Sequence, residues 1–263
     1  MRLLIRLRCL ENGPYEMQYH YHLQGFIYSL LKGSKYDYVH DKEGYKFFCF
    51  SNVFPAVALE KDNLRTLIVS SPDSEFIAYL DKVLMQWSSD VKVGSMKFKI
   101  DYIEELEVKL PRLPFVMITG TPIIIRIPRE KYKAYDIEPK GLYDYVYWRS
   151  DHPIDLFISQ IENNMTKKYT EYSGFDKSPD LKKETGNNPP PIHFIQKFRF
   201  KKQISTKVSM KGFDQVVIGT TWEFEFDSDA NVDIVKFALD SGLGERNSLG
   251  FGFMNVVVSN EYG

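Results

Sequence analysis

The sequence predicts an α+β protein made of two tandem ferredoxin-like (RRM-like) domains, and three observations support this. Strand and helix patterns follow one another in the order strand–helix–strand–strand–helix–strand. The same order recurs, less regularly, in the second half of the 263-residue chain. Prolines at 111 and 114 interrupt the pattern between the two halves. We therefore predict an N-terminal domain over 1–113 and a C-terminal domain over 114–263.

The first half opens on a strand in MRLLIRLRC, where apolar residues alternate with a face dominated by arginine. A helix is predicted in QYHYHLQGFIYSLLKG, because apolar residues recur at helical spacing and Gly33 supplies a stop. KFFCFSNV and RTLIVSS are predicted strands. DSEFIAYLDKVLMQW is a predicted helix capped by Asp73 or Ser74, and MKFKIDYIEELEV completes the sheet.

The second half repeats this order with longer strands. FVMITG and PIIIRI are predicted strands, and HPIDLFISQIENNMTKKY has the apolar spacing of a helix. Residues 178–191, rich in proline and polar side chains, are predicted to form a loop. Long strands are predicted over 192–226, followed by a helix in DANVDIVKFALDSG and a strand in GFMNVVVS.

Composition excludes several classes of protein. The formal net charge of −1 argues against a protein that coats nucleic acid by bulk electrostatics, although it permits a local basic face. No apolar run is long enough to span a bilayer, and MRLLIRLR interrupts its apolar residues with arginine, unlike a signal peptide. Cys9 and Cys49 have no metal-site spacing and indicate a reducing compartment. We predict a cytoplasmic protein with no membrane partner, no metal site and no cofactor.

A glycine-rich segment, SGLGERNSLGFGFM, lies near the C-terminus and places four glycines in eleven residues: Gly242, Gly244, Gly250 and Gly252. It lacks the third glycine of a dinucleotide fingerprint and the Gly-Lys-Ser/Thr of a P-loop. It also follows a helix and precedes a strand, the reverse of both fingerprints. Two interpretations stay open on these residues alone: a tight turn after a helix, or a backbone that approaches a ligand closely.

The spacing G-x-G-x5-G-x-G, with Asn-Ser before Leu-Gly-Phe-Gly, resembles the glycine-rich signature of the RAMP superfamily of RNA-binding proteins. More specifically, it resembles the sixth CRISPR-associated family, the repeat-processing endoribonucleases. HLQGFIY in the first helix and the tandem domain layout extend the resemblance. It implies metal-independent cleavage of CRISPR precursor RNA within its repeats, which generates guide crRNAs. The 2′-hydroxyl attacks the phosphate and leaves 2′,3′-cyclic phosphate and 5′-hydroxyl ends.

The resemblance also places three catalytic residues, with Tyr28 as base, His40 as acid and Lys46 as the cation beside the phosphate. The residues themselves are compatible with these roles, because Tyr28 points away from the apolar stripe of its helix. An imidazole titrates near neutral pH, and a lysine can stabilise both a phenolate and a phosphorane. Some family members use histidines on the first helix, so His20 or His22 is an alternative to His40.

An RNA-binding face is predicted in KFRFKKQISTKVSMK, where one alternating face carries five basic residues and no acid. These residues are Lys197, Arg199, Lys201, Lys207 and Lys211. Arg246 and the four glycines of the loop are predicted to lie near the RNA backbone. Arg2, Arg6 and Arg8 would extend this surface if the two domains share a cleft. A solvated strand face is the alternative, because lysines also protect exposed strands from edge pairing.

Three functions follow, and the endoribonuclease that cleaves repeat RNA is the first. The second is a non-catalytic RNA-binding subunit of a CRISPR effector complex, which would bind the repeat tightly and never cleave it. The third is an unrelated tandem ferredoxin-like protein that binds small ligands and has no affinity for RNA. The resemblance implies precursor crRNA as partner and leaves open a homodimer or an assembly with effector subunits.

Overall fold

The structure is a computed structural model of the chain. The residues that it describes are 1–112, 114–138, 141, 143–174, 195–210, 213–226 and 230–257. The predicted loop at 178–191 and the predicted RNA contact Lys211 lie outside the described residues.

The first half forms a five-stranded antiparallel sheet covered by two helices. Its strand order is β2-β3-β1-β5-β4, so the first strand is central, as the βαββαβ motif requires. The elements are β1 (Arg2–Cys9), α1 (Tyr19–Leu31), β2 (Cys49–Phe50), β3 (Leu64–Ser70), α2 (Ser74–Met85), β4 (Val91–Val93) and β5 (Met96–Leu106). The predicted cap is confirmed, because the Asp73 side chain accepts a hydrogen bond from Phe76 N at 3.1 Å.

The second half forms a four-stranded antiparallel sheet in the order β11-β6-β10-β9, beside a two-stranded sheet of β7 and β8. Its elements are β6 (Phe115–Thr119), β7 (Arg126–Pro128), β8 (Tyr145–Tyr147), α3 (Ile154–Ser173), β9 (Ile195–Met210), β10 (Phe213–Phe226), α4 (Val232–Ser241) and β11 (Met254–Val256). The predicted α+β class with two tandem ferredoxin-like domains is confirmed. The domain boundary at 113 stays a prediction.

One predicted strand is shorter than expected. The run PIIIRI is regular strand only from Arg126, whereas Ile123 and Ile124 form single bridges to Thr220 and Glu245. The run is apolar because Ile123, Ile124 and Ile125 are all buried in the core. Their burial does not require a continuous ladder of strand hydrogen bonds.

β1 confirms its predicted buried face, because Leu3, Ile5, Leu7 and Cys9 are all fully buried. Its opposite face is only partly available to a ligand. Arg2 is 5% exposed, and its Nη1 donates to Asn255 Oδ1 at 2.9 Å. The prediction that Arg2 extends an RNA-binding surface is therefore wrong, because the second half of the chain covers this side chain.

None of the helices in the described ranges is both long enough and apolar enough to cross a lipid bilayer.

Candidate active site

The glycine-rich loop is packed between the two halves of the molecule. All four glycines are buried and have a positive φ of 69° to 82°. A Cβ on Gly252 would lie 1.9 Å from Leu243 O, and one on Gly250 would lie 2.3 Å from Cε2 of Phe50. Bare backbone is therefore needed for close packing against backbone and against a ring of the first sheet. Contact between these glycines and RNA stays a prediction.

A buried lysine fixes the loop from the side of α3. Lys168 Nζ donates to Gly242 O at 2.6 Å and to Asn247 Oδ1 at 2.8 Å. Asn247 Nδ2 in turn donates to Leu243 O and Phe251 O. Burial lowers the pKa of Lys168 to about 7. The sequence contains a signal for this residue, since Lys168 follows Ile161 and Met165 at helical spacing on the buried face of α3.

His20 joins α1 to the same loop. Its ring stacks on Phe251 with centroids 4.2 Å apart, and its Nδ1 lies 2.7 Å from Leu249 O. The side chain is 3% exposed, and burial lowers its pKa to about 4. This environment gives His20 a packing role, whereas His22 is exposed to solvent.

We expect His20 to make folding stability depend on pH. Its pKa is about 4 in the folded state and about 6.5 when unfolded, so the unfolded chain binds the extra proton between these values. The stability that neutral His20 contributes is complete above pH 6.5 and is lost as pH falls towards 4. Urea unfolding at pH 7 and 4.5 should show wild type losing about 2–3 kcal/mol more than His20→Phe. His22→Phe is the control and should keep the wild-type dependence. Equal pH dependence of His20→Phe and wild type would refute this role.

The structure brings Tyr28, His40 and Lys46 together. The Tyr28 and His40 rings meet edge to face with centroids 5.0 Å apart. Lys46 Nζ lies 5.0 Å from the centroid of the Tyr28 ring and donates to His40 O at 2.8 Å. Gly44, at a φ of 84°, lets the intervening loop turn back so that His40 and Lys46 meet. A phenol, an imidazole and an ammonium group therefore share one site.

Two further features define the chemistry of this cluster. His40 is largely exposed, and its Nδ1 lies 2.6 Å from Asp41 Oδ1, which can orient the ring for proton transfer at Nε2. The Tyr28 hydroxyl is buried and has no hydrogen-bond partner among the described residues. The helical wheel places Tyr28 off the apolar stripe of α1, where it can be exposed, but the loop that follows α1 packs Phe48 and His40 against this ring. An unpaired buried hydroxyl costs about 1–3 kcal/mol.

The predicted basic face lies on β9, at the edge of the second sheet, and its cations are paired. Lys197 Nζ lies 3.0 Å from Glu225 Oε1, and Lys207 Nζ lies 2.6 Å from Asp214 Oδ2. Arg199 and Lys201 both bind Glu223. Three carboxylates on or near β10 therefore offset four described cations, which sequence reasoning about β9 alone missed. RNA binding by this face stays a prediction.

Arg246 lies in the glycine-rich loop with a left-handed backbone, at a φ of 57°. Its Nη1 donates to Gln215 Oε1 at 2.9 Å. Gln215 Nε2 also donates to the hydroxyls of Tyr145 and Tyr147, which fixes the loop against β8 and β10. The guanidinium is only half-buried, so an RNA contact by Arg246 stays a prediction.

Comparison with known proteins identifies the family of the chain and its fold. Residues 104–256 match the family model described as CRISPR associated protein Cas6, C-terminal. A CRISPR-associated endoribonuclease Cas6 of Haloferax mediterranei is 30% identical, over 98% of this chain and 94% of its own. An endoribonuclease of that name from Methanocaldococcus jannaschii is also 30% identical, over 98% of this chain and 100% of its own. A solved structure of a CRISPR associated protein Cas6 has a TM-score of 0.70 at 20% identity and covers 98% of this chain and 99% of its own.

The tandem ferredoxin-like fold, with the glycine-rich loop between its two halves, is the class of fold to which the solved Cas6 structure also belongs. Within that class, the chain belongs to the Cas6 family of CRISPR-associated endoribonucleases. It is an endoribonuclease that processes CRISPR RNA precursors.

Proposed function

We propose that this endoribonuclease cleaves within the repeat, without a metal ion, by attack of a 2′-hydroxyl on the adjoining phosphate. The bond from the 2′-oxygen to phosphorus forms while the bond to the 5′-oxygen breaks. Tyr28, ionised to the phenolate beside the Lys46 ammonium group, takes the proton of the 2′-hydroxyl, and protonated His40 gives a proton to the departing 5′-oxygen. Lys46 stabilises the charge of the phosphorane. The observation that carries this proposal is the cluster itself. The His40 ring centroid and Lys46 Nζ each lie 5.0 Å from the centroid of the Tyr28 ring, so three groups of the required chemistry are neighbours.

The unpaired Tyr28 hydroxyl supports the proposal and adds a requirement. A base must contact the proton that it removes, so the hydroxyl has to become accessible when RNA binds. His40 is the exposed neighbour whose ring lies against Tyr28, and Lys46 holds its backbone. If the substrate displaced the His40 side chain slightly, the 2′-hydroxyl of the RNA could reach the Tyr28 hydroxyl. The 2′-hydroxyl would then supply the hydrogen-bond partner that Tyr28 lacks.

The β9 cations contribute to RNA binding in this proposal, by exchanging their carboxylate partners for phosphates. Ion pairs between exposed side chains contribute only about 0–1 kcal/mol each, so an RNA phosphate can replace them. Lys197, Arg199 and Lys207 all belong to such exposed pairs. Because three carboxylates remain nearby, we expect this face to attract RNA weakly and to require a second basic surface.

A substrate with a 2′-deoxy nucleotide on the 5′ side of the scissile bond tests the mechanism. In excess EDTA, we expect wild type to cut repeat RNA once and to leave 2′,3′-cyclic phosphate and 5′-hydroxyl ends. The deoxy substrate should bind with unchanged affinity and stay uncut, because it lacks the nucleophile. A 2′-deoxy substitution two nucleotides away is the control and should be cut normally. Cleavage of the deoxy substrate, or 5′-phosphate products, would refute the mechanism.

A further inference from the structure

A cavity lies next to the Tyr28–His40–Lys46 cluster, between the two halves of the molecule. It has a volume of about 640 Å³ and lies between the loop before β2, helix α3 and the glycine-rich loop. Lys46 lines it, so the cavity begins where the proposed scissile phosphate lies. Its volume is in the range of about 300–1,000 Å³ found for small-molecule sites, which is sufficient for one nucleotide.

The charge of this cavity favours an anion. Lys46, Arg126, Lys167 and Arg246 line it, together with one carboxylate, Glu245, which is paired with Arg126. Neither Lys46 nor Lys167 has an ion-pair partner in the part of the chain that the structure describes. These two ammonium groups are therefore available to an RNA phosphate without displacing a carboxylate, unlike the cations of β9.

The floor of the cavity carries a lysine as well. Lys168 lines it and is 1% exposed, and its two described hydrogen bonds are to Gly242 O and Asn247 Oδ1. Both acceptors are neutral, so no carboxylate contacts this ammonium group directly. A phosphate in the cavity would therefore favour the protonated form of this lysine.

Helix α3 supplies amide groups to the same cavity. Gln160, Asn163, Asn164 and Lys167 are spaced i, i+3, i+4 and i+7, which places them on one face of the helix, and all four line the cavity. The Asn164 Oδ1 atom is buried and has no hydrogen-bond partner among the described residues. A buried acceptor without a donor costs about 1–3 kcal/mol. Because the Asn164 side chain lines the cavity, a turn of its amide would offer this acceptor to a ligand that donates. The amino group of a nucleobase is such a donor.

We propose that this cavity binds the nucleotide next to the scissile phosphate. Lys167 contacts the phosphate of that nucleotide, and the amides of Asn163 and Asn164 hydrogen-bond its base. The proposal rests on the proposed function, because Lys46 links the cavity to the cleavage site. It gives α3 a role in choosing the cleavage position, since a base that cannot donate to Asn164 Oδ1 leaves that acceptor unpaired.

The test is binding of a repeat RNA made uncleavable by the 2′-deoxy substitution, measured by fluorescence anisotropy over a range of salt concentrations. The variants are Lys167→Met and Asn164→Leu, each checked by its melting temperature. Lys82→Met is the matched control, because Lys82 is also an exposed helix lysine without an ion-pair partner among the described residues. Two further RNAs carry an abasic site, one on each side of the scissile phosphate.

We expect Lys167→Met to weaken binding by about tenfold at low salt and to reduce the slope of log affinity against log salt by about one. Asn164→Leu should weaken binding of intact RNA by about tenfold. The same variant should have no effect on one of the two abasic RNAs, which identifies the bound nucleotide. Lys82→Met should bind all three RNAs as wild type does.

Two results would overturn the proposal: Lys167→Met that binds like Lys82→Met, or Asn164→Leu that loses equal affinity for intact RNA and both abasic RNAs. Lys167 is exposed, so its variant decides the question even if Asn164→Leu folds poorly. Failure of the proposed function can be distinguished from failure of this nucleotide site, because wild type would then leave the unmodified repeat uncut in EDTA. The binding comparisons would still decide whether the cavity holds a nucleotide.

Discussion

His40→Ala is expected to lower the single-turnover rate of repeat cleavage by about 10² to 10⁴-fold while the affinity for RNA changes little. The side chain is largely exposed at the proposed cleavage site, and its ring packs against Tyr28, so its removal takes away an acid and leaves the fold intact. The measurement is the cleavage rate of labelled repeat RNA at saturating enzyme in EDTA. Binding of the uncleavable repeat by the same variant separates chemistry from affinity.

His22→Ala is the matched control, because His22 is the exposed histidine of α1 and was an alternative acid. The account predicts a wild-type rate for this variant. A large loss in His22→Ala together with a normal rate in His40→Ala would transfer the acid role to α1. His20 is unsuitable as a control, since its ring is buried between Tyr19 and Phe251.

Gly252→Ala is expected to reduce the free energy of unfolding by about 2–5 kcal/mol. The residue has a φ of 72°, and its new Cβ would overlap Leu243 O, which is backbone and has little freedom to move. Because this loop carries contacts from both halves, we also expect the variant to cleave RNA poorly. The measurement is urea unfolding followed by tryptophan fluorescence.

Gly25→Ala is the control for this prediction. Gly25 lies in α1, and a Cβ added there meets nothing within 4 Å. Alanine should stabilise this helix by about 0.5–1 kcal/mol. An unfolding free energy for Gly252→Ala within error of wild type would show that the loop does not depend on bare backbone.

Strands and helices could be predicted from the sequence where the pattern within one short segment is sufficient. The alternation of β1 specifies both a strand and its buried face, and Asp73 caps α2 as the sequence indicates. Arg2 lies on the polar face of that same strand and is nevertheless buried. Its burial depends on β11, which is about 250 residues away in the chain, so no local pattern could reveal it.

The same limit applies to charge. The basic residues of β9 form a stripe when one strand is considered alone, but their carboxylate partners lie on β10 across the sheet. Pairing Lys197 with Glu225 requires the register of the hairpin, which alternation does not specify. Lys168 differs, because its helical spacing with Ile161 and Met165 is visible in the sequence, although we did not predict its burial.

The catalytic candidates came from family resemblance, and their geometry came from the structure. Tyr28 could be placed off the apolar stripe of α1, but the burial of its hydroxyl depends on the loop that carries His40 and Phe48. The cavity beside it was not predicted, because its walls come from three segments that are distant in sequence.

The most direct test of the central claim removes a single oxygen atom. Tyr28→Phe keeps the ring that packs against His40 and Phe48 and deletes only the hydroxyl. The measurement is single-turnover cleavage of the repeat in EDTA, with RNA affinity determined alongside. The account predicts a loss of at least about 10²-fold in rate at unchanged affinity. Wild-type cleavage by Tyr28→Phe would contradict it, because the proposed base would then have no part in the reaction.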